Sequence, residues 1–245
     1  MPSISRRSVL KLTGALGATA ALSNQPAPAA GAADGTPRNY RFFNTEEGAF
    51  VEAAVARLIP ADEEWGGAIE AGVPNYMDLQ LGGAWGAGER LYRSGPWRPG
   101  IPGQGYQLPY TPAELFHKAL AGIQKEHAGA AFAHRTPAQQ DEYLKALETS
   151  SRDLGGVPAH VFFVHLWELT VEGFFSDPVY GGNRDMLSWR MIGFPGAYGS
   201  YYDLVDRHGM KFDRPPLSLG EDGSRHIHPD PNIPAYMPAP GGAGK

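Results

Sequence analysis

The feature that most constrains the fold is a long apolar segment at residues 159–175. Its apolar side chains surround the predicted helix instead of keeping to one side: Val161, Phe162, Phe163, Val164, Leu166, Trp167, Leu169, Val171 and Phe174. A helix that is apolar nearly all round is either central in its domain or covered by another protein. We therefore expect this segment to be a main helix of the chain.

Two helices that precede this segment are marked by their first residues. Thr111 is followed by a proline and, three residues on, by Glu114, which is the order of a helix N-cap, a first-turn proline and a capping box. Thr136 and Gln139 repeat the pattern. The apolar spacing behind both signatures predicts two amphipathic helices that share a core.

The region before these helices divides into helical and irregular parts. Asn44 or Thr45 can cap a helix that Pro60 ends, and a short helix is predicted at residues 74–81. Residues 82–110 carry tyrosines and tryptophans among many glycines and prolines, without a sustained period. A loop of this length either folds onto its own domain or lies against a partner.

Glycine and proline set the general character of the fold. Together they supply 54 of the 245 residues, so long irregular regions are expected beside the helices. The sequence predicts a mainly α fold, a small irregular helical domain at residues 40–212 with long ordered loops rich in Gly, Pro and aromatic residues. Residues 213–245 hold seven prolines and predict an extended tail.

The N-terminus reads as an export signal. Arg6 and Arg7 are followed by a short, weakly apolar stretch at residues 12–22 and by small residues at 27–29 where a signal peptidase can cut. The stretch is too short to cross about 30 Å of hydrocarbon. The paired arginines favour the twin-arginine (Tat) route. Residues 1–32 are therefore predicted to be a Tat signal with its cleavage region, and the mature protein to be periplasmic.

The composition excludes several classes of protein. Without cysteine, the chain holds no disulfide, thiolate-bound iron–sulfur cluster or c-type haem attached through Cys-x-x-Cys-His. Loss of Arg6, Arg7 and Lys11 with the signal leaves 18 of the 21 basic residues against 26 acidic ones, a formal charge of −8. That charge argues against nucleic-acid binding. The chain has no polybasic segment for lipid, so the membrane is expected to be only an indirect partner.

One polar stripe interrupts the apolar segment. His165, Glu168 and Glu172 lie at i, i+3 and i+7, on one side of the predicted helix. Imidazole and carboxylate groups at this spacing can bind a metal ion or transfer protons, although a di-iron bundle needs a second such helix. The three residues can also form a buried hydrogen-bonded cluster or face a partner. Elsewhere no nucleophile or acid–base pair has a recognisable context, so we expect no catalytic residue in the chain.

The segment after the apolar helix predicts a surface for a partner. Residues 177–178 and 181–182 are turn-forming pairs, Asp-Pro and Gly-Gly. Large apolar side chains follow on the same loop, where a monomer rarely exposes them, and Trp and Tyr are typical interface anchors. The predicted partner interface comprises Tyr180, Asn183, Trp189, Met191 and Phe194. The alternative is an ordered loop that folds onto its own helices.

The same segment resembles a known family. Gly-Gly-Asn at residues 181–183, followed by Trp189 and by Gly-Phe-Pro-Gly at residues 193–196, is similar to the gluconate 2-dehydrogenase subunit 3 family. Residues 58–62 and 67–73 look like that family's opening block. With the export signal, the resemblance covers most of the chain up to about residue 212.

The resemblance implies a role in a three-part periplasmic complex. A large FAD-dependent dehydrogenase subunit of the glucose–methanol–choline type oxidises a sugar acid or polyol, and a cytochrome c subunit carrying haem takes the electrons. The chain would be the non-catalytic small, or gamma, subunit, with no cofactor of its own. It would stabilise the flavoprotein and bring it out through the Tat export machinery. The alternative interpretation is an independent periplasmic metal-binding protein or enzyme that uses His165, Glu168 and Glu172.

Overall fold

The computed structural model describes residues 39–98, 100–101, 104, 107–197, 206, 208–209 and 215–220. Backbone contacts divide the chain into Met1–Ala32 and Ala33–Lys245, and every described residue belongs to the second unit. Six α-helices follow one another in the described residues: α1 (Thr45–Leu58), α2 (Val73–Leu81), α3 (Pro112–Glu126), α4 (Pro137–Thr149), α5 (Ala159–Phe175) and α6 (Leu187–Ile192). The described part has no β-strand, only isolated bridges. The prediction of a mainly α fold is therefore confirmed.

The starts of three helices are fixed by capping boxes. The Asn44 side chain accepts hydrogen bonds from the backbone N–H groups of Glu46 and Glu47. In return, the Glu47 carboxylate accepts a hydrogen bond from the Asn44 N–H at 3.0 Å. Thr111 and Thr136 form the same reciprocal box at the starts of α3 and α4. Each box satisfies donors that a helix end otherwise leaves unpaired, which is why the local sequence sufficed to place these starts.

Helix α5 lies at the centre of the bundle and contacts every other helix. Its inner side is fully buried, with Phe162 packed edge-on against Phe116 at 5.3 Å between ring centroids. Its outer side is open to solvent, and Val164 is 47% exposed. The sequence allowed a central helix or a helix covered by a partner; the structure shows a central helix with one uncovered side.

A buried carboxylate joins the start of the domain to α2. Asp78, which is 4% exposed, accepts hydrogen bonds from the backbone N–H groups of Arg41, Phe42 and Phe43 at 2.9–3.0 Å. Three donors aimed at one carboxylate form a strong, charge-assisted cluster. The segment before α1 is thereby held against the helix that also contacts α5.

The loop between α2 and α3 packs Leu108 and Tyr110 against the core and leaves other large side chains exposed. In its described part the exposed ones are Trp85, Leu91, Tyr92 and Ile101. The loop is tied to α3 by a hydrogen bond from the Ala113 N–H to the Gly86 carbonyl at 3.1 Å. These four side chains therefore do not fold onto their own domain, which was one of the two alternatives for this loop.

None of the helices in the described part of the chain is long and apolar enough to cross a membrane.

Candidate partner interface

The chain leaves α5 through a tight turn that sequence analysis marked as distinctive. Asp177 caps a 3-10 turn at Pro178–Tyr180 by accepting a hydrogen bond from the Val179 N–H at 3.0 Å. Gly181 follows with φ of 90°, a conformation that favours glycine. A Cβ at Gly181 would also collide with the Leu79 side chain of α2. The turn thus sits directly on α2.

Asn183 is the internal anchor of this loop. Its side-chain amide donates to the Ser176 carbonyl at 2.9 Å, and its amide oxygen accepts from both the N–H and the hydroxyl of Ser188 at 2.9 Å. Its backbone N–H donates to the Gly173 carbonyl, also at 2.9 Å. Asn183 and Ser188 are 0% exposed. One buried side chain therefore fixes the end of α5 relative to the start of α6.

The backbone around Asn183 is held in an uncommon conformation. Asn183, Asp185 and Met186 all have positive φ, between 41° and 56°, and such residues cost of order 1 kcal/mol each or more outside glycine. A hydrogen bond from the Arg184 N–H to the Ala71 carbonyl, at 2.9 Å, anchors the strained segment to the residues before α2. These internal hydrogen bonds hold the loop in its observed conformation.

Trp189 is turned inward. It is 6% exposed, its indole N–H donates to the Phe175 carbonyl at 2.9 Å, and its ring meets Phe194 edge-on at 5.1 Å. Asn183 and Trp189 were predicted as partner contacts, and the structure places both side chains inside the loop of their own chain. Both have polar groups that satisfy backbone atoms of their own chain, so burial inside the loop leaves no donor or acceptor unpaired.

The other predicted contacts face outward. Tyr180 is 52% and Phe194 45% exposed, and Met191 is half-buried. Sequence reasoning missed two exposed aliphatic neighbours, Val179 and Ile192, because only the larger side chains of the loop were considered. We call these five residues the loop patch: Val179, Tyr180, Met191, Ile192 and Phe194. A loop that leaves four apolar side chains exposed, with Met191 partly buried beside them, is a surface suited to a protein partner.

A C-terminal strap, defined as residues 215–220, lies on the inner side of the same loop. The Ser218 hydroxyl donates to Asp177 Oδ1 at 2.6 Å, and the Leu219 N–H donates to Asp177 Oδ2 at 2.8 Å. The Ala197 N–H donates to the Leu217 carbonyl at 2.8 Å. Residues 215–220 therefore belong to the folded body, which extends beyond the boundary that we predicted at residue 212. Residues 221–245 of the predicted tail lie outside the described residues.

The polar stripe of α5 borders this surface. His165 Nδ1 lies 3.4 Å from Glu168 Oε2, and the Tyr76 hydroxyl of α2 donates to Glu172 Oε2 at 3.3 Å. Burial lowers the pKa of His165, with Glu168 acting against it. Burial raises the pKa of Glu172, with the Glu168 charge adding to it. Burial and Glu172 together raise the pKa of Tyr76 to about 12.

In the described part of the chain, the stripe forms no group of metal ligands. Each contact joins two residues, His165 to Glu168 and Tyr76 to Glu172, and no described group of three or more His, Cys, Asp or Glu side chains is placed to hold one ion. Zinc and iron sites need three or four converging protein ligands. The geometry instead fits a row of carboxylates at the protein surface.

Comparison with known proteins assigns the family. Residues 45–196 match the profile of gluconate 2-dehydrogenase subunit 3. The chain belongs to this family. In this member of the gluconate 2-dehydrogenase subunit 3 family, the matched segment runs from the first residue of α1 to the bridge between Gly196 and Leu217, and it includes the loop patch and α5. The family name describes one subunit of a multisubunit dehydrogenase.

The export signal is also assigned by comparison. Residues 3–23 match the twin-arginine translocation pathway signal sequence, so this subunit 3 protein is exported to the periplasm. Arg6 and Arg7, predicted as the signal's key residues, lie within that match but outside the described residues. Searches of curated proteins and of solved structures found no match to the chain.

Proposed function

We propose that the chain is the non-catalytic small subunit of a periplasmic, flavin-dependent dehydrogenase complex. It binds and stabilises a large FAD-containing subunit that oxidises a sugar acid or polyol. The family match, combined with the loop patch, carries this proposal, because the patch keeps apolar side chains exposed on an internally fixed loop. Full burial of an exposed side chain of this size contributes about 1.5–3 kcal/mol, so covering these half-exposed side chains contributes about half of that each, which favours a partner that buries the patch.

The proposed distribution of cofactors among the subunits follows from the composition of this chain. It has no cysteine and so cannot hold a c-type haem through thioether bonds. In the proposed complex, FAD belongs to the large subunit and haem to a cytochrome c subunit that takes the electrons. The association of this chain with the inner membrane is then indirect, through the complex.

The export signal gives the small subunit a second role. The Tat machinery carries folded cargo, so a signal on this chain can export a partner that is already folded and loaded with its cofactor. The match at residues 3–23 supports this role. The small subunit then acts as both the folding partner and the export carrier of the flavoprotein.

The test is affinity purification of the C-terminally tagged protein from periplasmic and membrane fractions. Flavin and haem are read by absorbance, and dye reduction is assayed with a panel of sugar acids and polyols. A Tyr180→Ser/Phe194→Ser double variant disrupts the loop patch, and a Glu142→Ala/Glu148→Ala double variant on exposed positions of α4 is the control. We expect the control to retain the flavoprotein and the loop-patch variant to lose most of it. A colourless monomer without dye-reducing activity, obtained with the wild-type sequence, would contradict the proposal.

A further inference from the structure

The uncovered side of α5 combines apolar and acidic groups in one line. Helical spacing places five residues on this side, which we call the α5 face: Val164, Glu168, Val171, Glu172 and Phe175. The apolar members stand at both ends and beside the carboxylates, and Val164 and Phe175 are exposed. The Glu168 side chain is 57% exposed. The carboxylates therefore lie between apolar side chains of the same helix, with His165 and the Tyr76 hydroxyl also in contact with them.

The α5 face adjoins the loop patch. The Tyr76 hydroxyl bonds to Glu172 and also lies close enough to Tyr180 for the two phenols to affect each other electrostatically. Phe175, the last residue of α5, accepts the Trp189 indole hydrogen bond through its carbonyl. A protein that covers the loop patch thus meets the α5 face at its C-terminal end.

Among the described residues, no ion pair joins Glu168 or Glu172 to a Lys or Arg side chain; Glu168 contacts His165, and Glu172 accepts a hydrogen bond from Tyr76. Neither α5 nor the adjoining α2 contains a Lys or Arg, and the single acid of α2, Asp78, is occupied by residues 41–43. Glu168 and Glu172 are one turn apart, so their charges repel. Covering them with an apolar surface alone would bury both carboxylates without a Lys or Arg partner, which costs several kcal/mol.

We propose that the α5 face receives a surface of the flavoprotein subunit that carries at least one Arg or Lys between apolar side chains, with the cation placed against Glu168 and Glu172. This inference rests on the proposed function and adds the chemistry of the partner surface. The apolar side chains of the α5 face exclude water from the ion pair, and the fixed carboxylate pair sets the register of docking. Arginine suits the site best, because its planar guanidinium can bond two carboxylates at once.

Neutral variants test the sign of the charge effect. In Glu168→Gln/Glu172→Gln the side chains keep their shape, and the new amide oxygen at position 172 can still accept a hydrogen bond from Tyr76. If the partner supplies a cation, the variant leaves that cation buried and unpaired, and affinity falls at least about 30-fold. If the partner surface is wholly apolar, the removal of two charges raises affinity instead. Glu142→Gln/Glu148→Gln on α4 removes the same number of charges at exposed positions and is the matched control.

The measurement uses complexes of the flavoprotein with each mature small subunit, purified through a tag on the flavoprotein. Dissociation constants are obtained from the fraction of complex that survives dilution, and thermal unfolding confirms that every variant is folded. A loss of affinity specific to the α5 variant supports the inference. Equal or tighter binding by that variant overturns it and leaves the proposed function standing. If the wild-type chain binds no flavoprotein, both this inference and the proposed function are wrong.

Discussion

Asn183 is the residue whose replacement should have the largest effect on the loop patch without touching its surface. The Asn183→Ala substitution removes a donor to the Ser176 carbonyl and an acceptor for both polar hydrogens of Ser188. Each buried group left unpaired costs about 1–3 kcal/mol. Alanine also tolerates the φ of 41° less well than asparagine, at a further cost of about 1 kcal/mol. With partial relaxation, we expect a loss of about 3–6 kcal/mol.

This loss is a large part of the stability of an ordinary domain, which is about 5–15 kcal/mol. It corresponds to a fall in Tm of roughly 10–20 °C for a chain of this size. Urea unfolding followed by circular dichroism measures the free energy, and the mature chain is used without its signal. Ser188→Ala, which removes one of the three bonds, should lose about 1 kcal/mol.

The control for this series is Asn75→Ala. The Asn75 side chain donates to the Gly181 carbonyl of the same loop at 2.8 Å, but it does so at the exposed surface. Water can replace that bond, so the expected loss is under about 1 kcal/mol. If Asn183→Ala destabilises the chain no more than Asn75→Ala, the assignment of Asn183 as the anchor of the loop is wrong.

Three further outcomes are expected. His127 is buried with no hydrogen-bond partner for either ring nitrogen in the described part of the chain, and burial, followed by repulsion from Arg135, lowers its pKa. The part of the free energy of unfolding that depends on neutral His127 is therefore complete above about pH 6.5 and is lost as the pH falls below it, by up to about 1.4 kcal/mol per pH unit. His127→Leu should reduce the change in the urea midpoint between pH 7 and pH 5, whereas the same substitution at exposed His134 should not. Asp177→Ala removes the carboxylate that accepts hydrogen bonds from the C-terminal strap. Chymotrypsin should therefore cut at Leu217 and Leu219 several-fold faster than in the wild-type chain. An unchanged cleavage rate would show that the carboxylate does not hold the strap. Replacement of both Arg6 and Arg7 by lysine should keep the chain in the cytoplasm and so lower the dehydrogenase activity measured in the periplasm. Undiminished export of the variant would contradict this prediction.

Five of the six described helices were predictable because their signals are local, whereas α6 lies in a segment that the sequence suggested was a loop. The N-caps of α1, α3 and α4 and the apolar segment of α5 are read from a few neighbouring residues. The hydrogen bonds that Asp78 accepts from residues 41–43 were not predicted, because the three donors lie 35–37 residues earlier in the chain. A carboxylate that serves backbone N–H groups so far away has no sequence signature. The strap bound by Asp177 was missed for the same reason, because its partners lie 41–42 residues later.

The exposure of the proposed contact residues was predictable only in part. The sequence predicted a partner surface on the loop after α5, and two of its residues, Tyr180 and Phe194, are exposed. It did not reveal that Trp189 points inward, because the acceptor of its N–H is a backbone carbonyl at the end of α5. Nor could it distinguish a metal site from a surface stripe at His165, Glu168 and Glu172, since one helical face alone does not show whether further ligands converge there.

The loop after α5 separates the residues that determine its shape from those that it displays. Asp177, Asn183 and Trp189 point inward and hold the backbone, whereas the side chains of Val179, Tyr180 and Phe194 contribute no hydrogen bond to that framework. Substitutions at Val179 and Tyr180 therefore leave these hydrogen bonds in place while they alter the surface that another protein meets, whereas Phe194 also packs edge-on against Trp189. Such a subunit can be fitted to different dehydrogenases by changing a few exterior side chains, with no need to redesign the scaffold beneath them.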